Sequence, residues 1–276
     1  MKKAICHYSF HRRYVDEKWT PERLAREVAA LGVEGIDYHA RLLGGMDGTA
    51  GLIRAAVVQH GLTLSGMSFS TNFNRSNMDE WKAEVETTKK WVAFSAGLKA
   101  PVSRIFGGNL SFEERQNPSA RSAAWQRMID GVAAVTREAE KFGLVLALEN
   151  HGGLPCTAQE QIDAIRTINS PCLRATIDVG NYMSGGEEGH EATARVVPYC
   201  AYVHAKDFKK VPDSDKPWGW GTQSCAVGDG DVNLPACIDA LKKGGYQGFV
   251  ALEYEGPEDE TTGVPRSVAT LHKLIP

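Results

Sequence analysis

Short apolar runs alternate with longer stretches of helical periodicity along the whole chain. The first run, Ala4 to Ser9, leads to Thr20-Pro21, a helix start with Thr as N-cap and Pro in the first turn. Leu24, Val28 and Leu31 mark one helical face, Gly32 stops it, and Val33 to Tyr38 is the next strand candidate. The same order then repeats. Leu52 to His60 stops at Gly61 and gives LTLSGMSF; a helix from about Asp79 stops at Gly97 and, after Pro101, gives VSRIF. A long helix from about Arg121, with Trp125, Met128, Ile129, Val132, Val135, Ala139 and Phe142 on one face, stops at Gly143 and gives LVLALE.

Thr157 and Glu160 form a capping box for a helix faced by Ile162, Ile165 and Ile168, which Asn169-Ser170-Pro171 ends. RATID follows, then a short helix near His190 to Val197 and the strand YCAYVHA. A long loop leads to a helix at Leu234 to Lys243, Gly244-Gly245, FVALE and a last helix from about Pro265 to Leu274. Strands apolar on both faces and separated by helices predict a parallel sheet. Eight such units in 276 residues fit one closed (β/α)8 barrel, a single α/β domain over residues 1–276. A doubly wound sheet is the weaker alternative, because the turn after the first strand reads SFHRR and not G-x-G-x-x-G.

In a barrel of this kind the last residues of the strands form the active-site face. Those residues are His7, Asp37 to His39, Ser68, Phe106 to Asn109, Glu149, Asp178, His204 and Glu253. Four of them, Glu149, Asp178, His204 and Glu253, end successive apolar runs in the second half, where nothing about strand packing calls for a charge. Three carboxylates in one barrel mouth repel one another without a cation. Oxygen donors with one imidazole suit Mn²⁺ first, then Mg²⁺, Co²⁺ or Fe²⁺, and Zn²⁺ less typically. The competing account makes each acid a loop-start residue capping the next helix.

The order LALEN, IDVGN, VHAKD, GDGDVN and ALEYEG resembles the xylose isomerase-like TIM barrels, in particular the sugar phosphate isomerase/epimerase group with its ketose 3-epimerases, hydroxypyruvate isomerases and inosose dehydratases. The resemblance runs over essentially the whole chain. It implies one divalent metal on Glu149, Asp178, His204 and Glu253, and proton shuttling by the two glutamates. A metal chelated by a carbonyl and the adjacent hydroxyl acidifies the intervening C–H through an enediolate, and a carboxylate on each face can act as base and acid. Strands five and eight lie across the mouth from one another, which suits Glu149 and Glu253 for those parts.

Departures from the family pattern concern the substrate. Many members carry Asp-x-x-His at the sixth strand; here Asn181 stands in place of that His and can hydrogen-bond but not titrate. Where epimerases often place an Arg after the seventh strand's His, Lys206 and Lys210 are nearby, and Lys206 is the better candidate for a substrate oxygen. His151, two residues after Glu149, and His7 and His39, at the ends of the first two strands, are further candidates to line the cavity, each weighed against an ordinary polar role. Trp218 and Trp220 in KPWGWG can cover a sugar face or pack on their own barrel. Asp229 and Asp231 read as turn and helix-entry residues.

Composition narrows the function classes. A formal charge of −3 gives no basic field for nucleic acid, and no apolar run approaches a membrane span. The six cysteines are scattered without a C-x-x-C pair, and the N-terminus lacks a signal h-region, so a reduced, cytoplasmic protein is expected. The leading expectation is a metal-dependent isomerase or epimerase of a small ketose, keto-sugar or polyol, with a lyase on the same scaffold as the alternative. A DNA-repair endonuclease, which shares the barrel, and a non-catalytic sugar-binding subunit rank below these. A small carbohydrate is the expected partner and a homo-oligomer is allowed. The lack of a glycine-rich cradle after strand seven or eight leans against a phosphorylated substrate.

Overall fold

A computed structural model describes the chain from Met1 to Pro276, apart from the side chain of Phe112. Eight parallel strands close into a barrel: β1 (Lys2–Cys6), β2 (Gly35–His39), β3 (Thr63–Ser68), β4 (Val102–Phe106), β5 (Val145–Glu149), β6 (Leu173–Asp178), β7 (Cys200–Ala205) and β10 (Phe249–Leu252). They are neighbours in chain order, and the barrel shuts where β1 pairs with β10 from Lys2 opposite Phe249 to Ile5 opposite Leu252. The outer layer holds α2 (Pro21–Ala30), α3 (Thr49–Gln59), α4 (Met78–Leu98), α6 (Pro118–Phe142), α7 (Ala158–Ile168), α8 (Gly189–Val196), α9 (Leu234–Lys243) and α10 (Glu260–Leu274); α1 (His11–Asp16) and α5 (Phe112–Gln116) are short additions. No helix of the described residues is long and apolar enough to cross a membrane.

Strand alternation explains how an apolar run can end in a carboxylate. In β5, Leu146 and Leu148 join the main core between barrel and helices, whereas Val145 and Ala147 pack inside the barrel. Glu149 continues the inward series. The lower interior layer is Ala4, Val102, Ala147, Tyr202 and Ala251, with small residues leaving room for the Tyr202 ring. Two residues further along the same strands come Cys6, Arg104, Glu149, His204 and Glu253, all buried. The barrel thus carries a polar layer on an apolar plug.

Several local signals act as read from the sequence. The Thr20 side chain accepts from the amide of Arg23, Thr157 and Glu160 form the capping box, and Gly143 ends α6 at φ 64°. Four expectations need correction. The helix after β3 runs through Gly97 and stops at Lys99, which takes the left-handed conformation itself at φ 59°. The helix before β5 starts at Pro118, capped by Asn117, and the last helix starts at Glu260, capped by Asp259, with Pro265 inside it. Pro265 removes one backbone donor without breaking the helix. The long loop after β7 contains an antiparallel hairpin, β8 (Asp207–Pro212) with β9 (Trp220–Cys225), which the sequence reading did not separate.

Asp207 organises that loop's return. Its carboxylate accepts from the backbone amides of Phe208, Gly228, Gly230 and Val232, so GDGD wraps around one buried acid. Asp231 accepts from the amide of Lys210 and Asp229 pairs with Arg266, consistent with turn roles for both. Trp218 and Trp220 lie 5.9 Å apart, and Trp220 carries the Lys210 ammonium at 4.8 Å.

Candidate metal centre

Glu149, Asp178, His204 and Glu253 converge: one ligand atom from each lies within 4.8 Å of the others, and all four side chains are buried. The scaffold fixes each donor differently. Asn181 Nδ2 donates to Glu149 Oε1 at 3.1 Å, leaving Oε2 without a hydrogen-bond partner among the described residues. Asp178 Oδ1 accepts from the amides of Gly180 and Asn181, and Oδ2 is left over in the same way. Asn150 and Asp178 exchange bonds, Asn150 Nδ2 donating to the Asp178 carbonyl and the Asp178 amide to Asn150 Oδ1. Behind them Gln161 of α7 donates to the carbonyls of Leu148 and Thr176.

His204 Nδ1 lies 3.3 Å from Glu149 Oε2 and 3.6 Å from Glu253 Oε1, while Nε2 faces Asp37 Oδ2 at 3.5 Å. Ser68 donates to that same Asp37 oxygen at 2.6 Å. Neither ring nitrogen makes a hydrogen bond, so Asp37 stands beside Nε2 as a counter-charge, and Nδ1 is the nitrogen turned toward the two glutamates. Glu149 Oε2, Asp178 Oδ2 and His204 Nδ1 make no hydrogen bond among the described residues and have only ion-pair neighbours, Arg104 Nε at 3.0 Å from the first and Lys206 Nζ at 3.8 Å from the second. Buried donors and acceptors are normally satisfied, and a cation is the partner this set fits.

Two buried cations missed or undervalued by sequence reading complete the cluster. Arg104, in the middle of β4, places Nε 3.0 Å from Glu149 Oε2 and Nη2 3.5 Å from Glu253 Oε1. Its plane lies against Phe106 at 4.0 Å, and Nη1 donates to the Phe69 carbonyl. The only sequence signal was an arginine inside VSRIF. Lys206 is buried with Nζ 2.7 Å from Glu253 Oε2, 3.2 Å from Glu255 Oε2 and 3.8 Å from Asp178 Oδ2.

These charges set the protonation of the metal-free site. Burial pushes the Asp178 carboxyl up to about 7, with Lys206 pulling the other way. Burial also opposes ionisation of Glu149 and Glu253, but Arg104 and His204 beside the first, and Lys206 and His204 beside the second, outweigh it and hold both below the usual range. Burial favours neutral His204, yet Glu253 and Glu149 hold its imidazole protonated well above the usual histidine value.

A cavity of about 500 Å³ lies beside this cluster, lined among others by Tyr8, His39, Phe106, His151, Arg104 and Glu253; of the four candidate ligands Glu253 reaches it, while Glu149, Asp178 and His204 are buried and do not line it. Glu253 and Arg104 are thus its floor. His151 packs on Phe106 at 4.2 Å, and burial holds its ring neutral. Asn181 and Lys206 do not line the cavity; each holds a glutamate from behind. His7 is corrected outright. It is fully buried between Tyr14 and Tyr38, accepts the His39 amide on Nδ1, and is pushed by burial to a pKa of about 3, so it offers nothing to the cavity. His39, not His7, reaches the cavity wall. Lys210 is at the surface, paired with Glu188.

Strand order, barrel closure and an acidic cluster at the C-terminal ends of the strands define a (β/α)8 protein with its site at the usual face. The chain belongs to the xylose isomerase-like TIM barrel family, whose model matches residues 25–274. It is 23% identical over 265 residues to an inosose dehydratase of Bacillus licheniformis, covering 87% of this chain and 82% of that one. Among solved structures, a D-tagatose 3-epimerase-like protein superposes with a TM-score of 0.79 at 16% identity, covering 100% of this chain and 97% of the other. A xylose isomerase-like TIM barrel protein of Mycobacterium smegmatis in complex with magnesium gives 0.72 at 18% identity, covering 99% and 96%.

Proposed function

We propose that the protein is a divalent-metal-dependent isomerase or epimerase of a small ketose, keto-sugar or polyol. Glu149, Asp178, His204 and Glu253 are the metal ligands in this reading, and Glu149 and Glu253 the proton-transfer groups. The observation that carries it is the convergence of four buried ligand side chains, one donor atom from each within 4.8 Å of the others, with Glu253 reaching the cavity. Mn²⁺ is the first choice for this donor set, and the magnesium complex of the Mycobacterium smegmatis protein keeps Mg²⁺ beside it; Co²⁺, Fe²⁺ and Zn²⁺ follow.

When bound, the ion supplies Lewis acidity, stabilising negative charge that builds on adjacent substrate oxygens. The chain's own groups do the rest. Glu253 faces the cavity, and Lys206 holds it ionised and in place, so it takes the proton from a carbon lying against the floor. Glu149, from the strand across the mouth, is the donor for the other side: Arg104 favours its ionised form, so it takes up a proton from solvent before each turnover and delivers it there, and Glu253 releases the abstracted proton to solvent afterwards. Neutral His151 offers one donor and one acceptor to substrate oxygens, and Phe106 gives the carbon skeleton an apolar face.

EDTA treatment followed by Mn²⁺ or Co²⁺ addition, assayed against a panel of ketoses and keto-cyclitols, tests the reading; activity is expected to disappear and return. Full turnover by Glu149→Gln would remove its proton-transfer role. The similarity to an inosose dehydratase favours one second reading, a lyase in which a β-hydroxyl leaves after enolisation. Loss of water from the product, seen by mass spectrometry, would decide for it.

A further inference from the structure

The cavity has two unlike sets of lining residues. Glu253 and Glu255 form its acidic side, and both carboxylates are already engaged by Lys206 at 2.7 and 3.2 Å. The segments that follow β2 and β3 present Arg41, Asn72 and Arg75 to the same cavity. Arg75 has Glu84 at 3.4 Å, but Arg41 has no carboxylate within 4.0 Å among the described residues. Asn72 Oδ1 accepts from the backbone amides of Asn74 and Asn109, which fixes the side-chain amide and leaves its NH₂ group with no acceptor among the described residues. Buried His39 in the same cavity lining uses Nε2 with Ser70 and keeps Nδ1 without a partner.

An exposed guanidinium without an ion-pair partner, a second arginine and an oriented amide donor lining one cavity form a set suited to an anion; the His39 Nδ1 atom is buried and takes no part in it. We infer that the substrate is an anionic polyhydroxy compound whose carboxylate or phosphate is bound by Arg41, with Asn72 and Arg75 beside it, while its keto or hydroxyl end lies over the acidic floor. This inference rests on the metal-dependent reading only for the orientation of the substrate. The anion preference itself needs no metal. It departs from the expectation of an unphosphorylated sugar, because the anion-binding groups lie after strands two and three and not after strands seven and eight.

The test uses three open-chain probes of similar shape: D-gluconate, D-sorbitol 6-phosphate and neutral D-sorbitol, titrated calorimetrically into the parent protein and into Arg41→Met. At least one anion is expected to bind about tenfold more tightly than sorbitol, with most of that advantage lost in Arg41→Met. Gluconate alone assigns a carboxylate, sorbitol 6-phosphate alone a phosphate. Equal binding of all three, a preference that survives Arg41→Met, or no binding of either anion in the millimolar range overturns the inference. Mn²⁺ titration of the same two proteins, without any probe, reports separately on the metal reading and is expected to be unchanged by the substitution.

Discussion

The Nε of Arg104 lies 3.0 Å from Oε2 of Glu149, the oxygen that the scaffold otherwise leaves unpaired. A fixed guanidinium thus shares the ligand atom that a divalent ion would use. Replacing it changes both stability and metal affinity, in opposite directions.

Arg104→Met leaves Glu149 as a buried carboxylate without its strongest counter-charge. The metal-free variant is expected to lose about 3–5 kcal/mol of stability. Mn²⁺ then binds it more tightly than the parent, because one competing positive charge is gone. Thermal unfolding with and without Mn²⁺ should show a larger metal-induced rise in Tm for the variant than for the parent.

Metal affinity is expected to climb between pH 5 and pH 8. Burial holds the Asp178 carboxyl at about 7, so below that pH it carries a proton that a cation must displace. His204, held protonated by its glutamates, adds a second proton to displace. Calorimetric titration of Mn²⁺ in buffers of different ionisation enthalpy should detect net proton release at pH 6. Affinity independent of pH would contradict it.

Lys206→Met should act through Glu253. Burial raises the Glu253 carboxyl and Lys206 is the largest influence against it, so removing the ammonium moves the value upward. The acid limb of kcat/KM is then expected to shift to higher pH, with activity at its plateau reduced less than activity at pH 5. A uniform loss across the profile would indicate a purely structural role.

Asp207→Ala tests the loop. Four backbone amides lose their shared acceptor, those of Phe208 and Val232 in buried surroundings and those of Gly228 and Gly230 in a partly exposed turn. A cost of about 2–4 kcal/mol is expected, read from urea unfolding.

The strand ends were legible because alternation and length suffice to find the last residue of a buried run. That is how Glu149, Asp178, His204 and Glu253 emerge without a structure. Arg104 was not legible, since an arginine within five residues of strand gives no hint that two glutamates from β5 and from the end of β10 will meet it. The pairing of Asp37 with His204 has the same cause, being a contact between β2 and β7 across the barrel interior. His7 misled because β1 ends at Cys6, one residue before the assumed inward position. The hairpin β8–β9 was hidden by its polar, weakly alternating sequence, and the start of α10 by reading Pro265 as a first-turn proline when Asp259 already caps the helix.

The seam between β1 and β10 has a consequence for synthesis. Arg104, Glu149, Asp178 and His204 all precede Glu253 in the chain, and Lys3 Nζ on β1 donates to the carbonyl of Ile275 at 2.9 Å. A nascent chain halted before Phe249 has an unsealed barrel and an acidic cluster lacking its last member. Completion of the acidic cluster therefore depends on the segment that closes the β1–β10 seam, and a chain cleaved within α10 loses the hydrogen bond from Lys3 to Ile275.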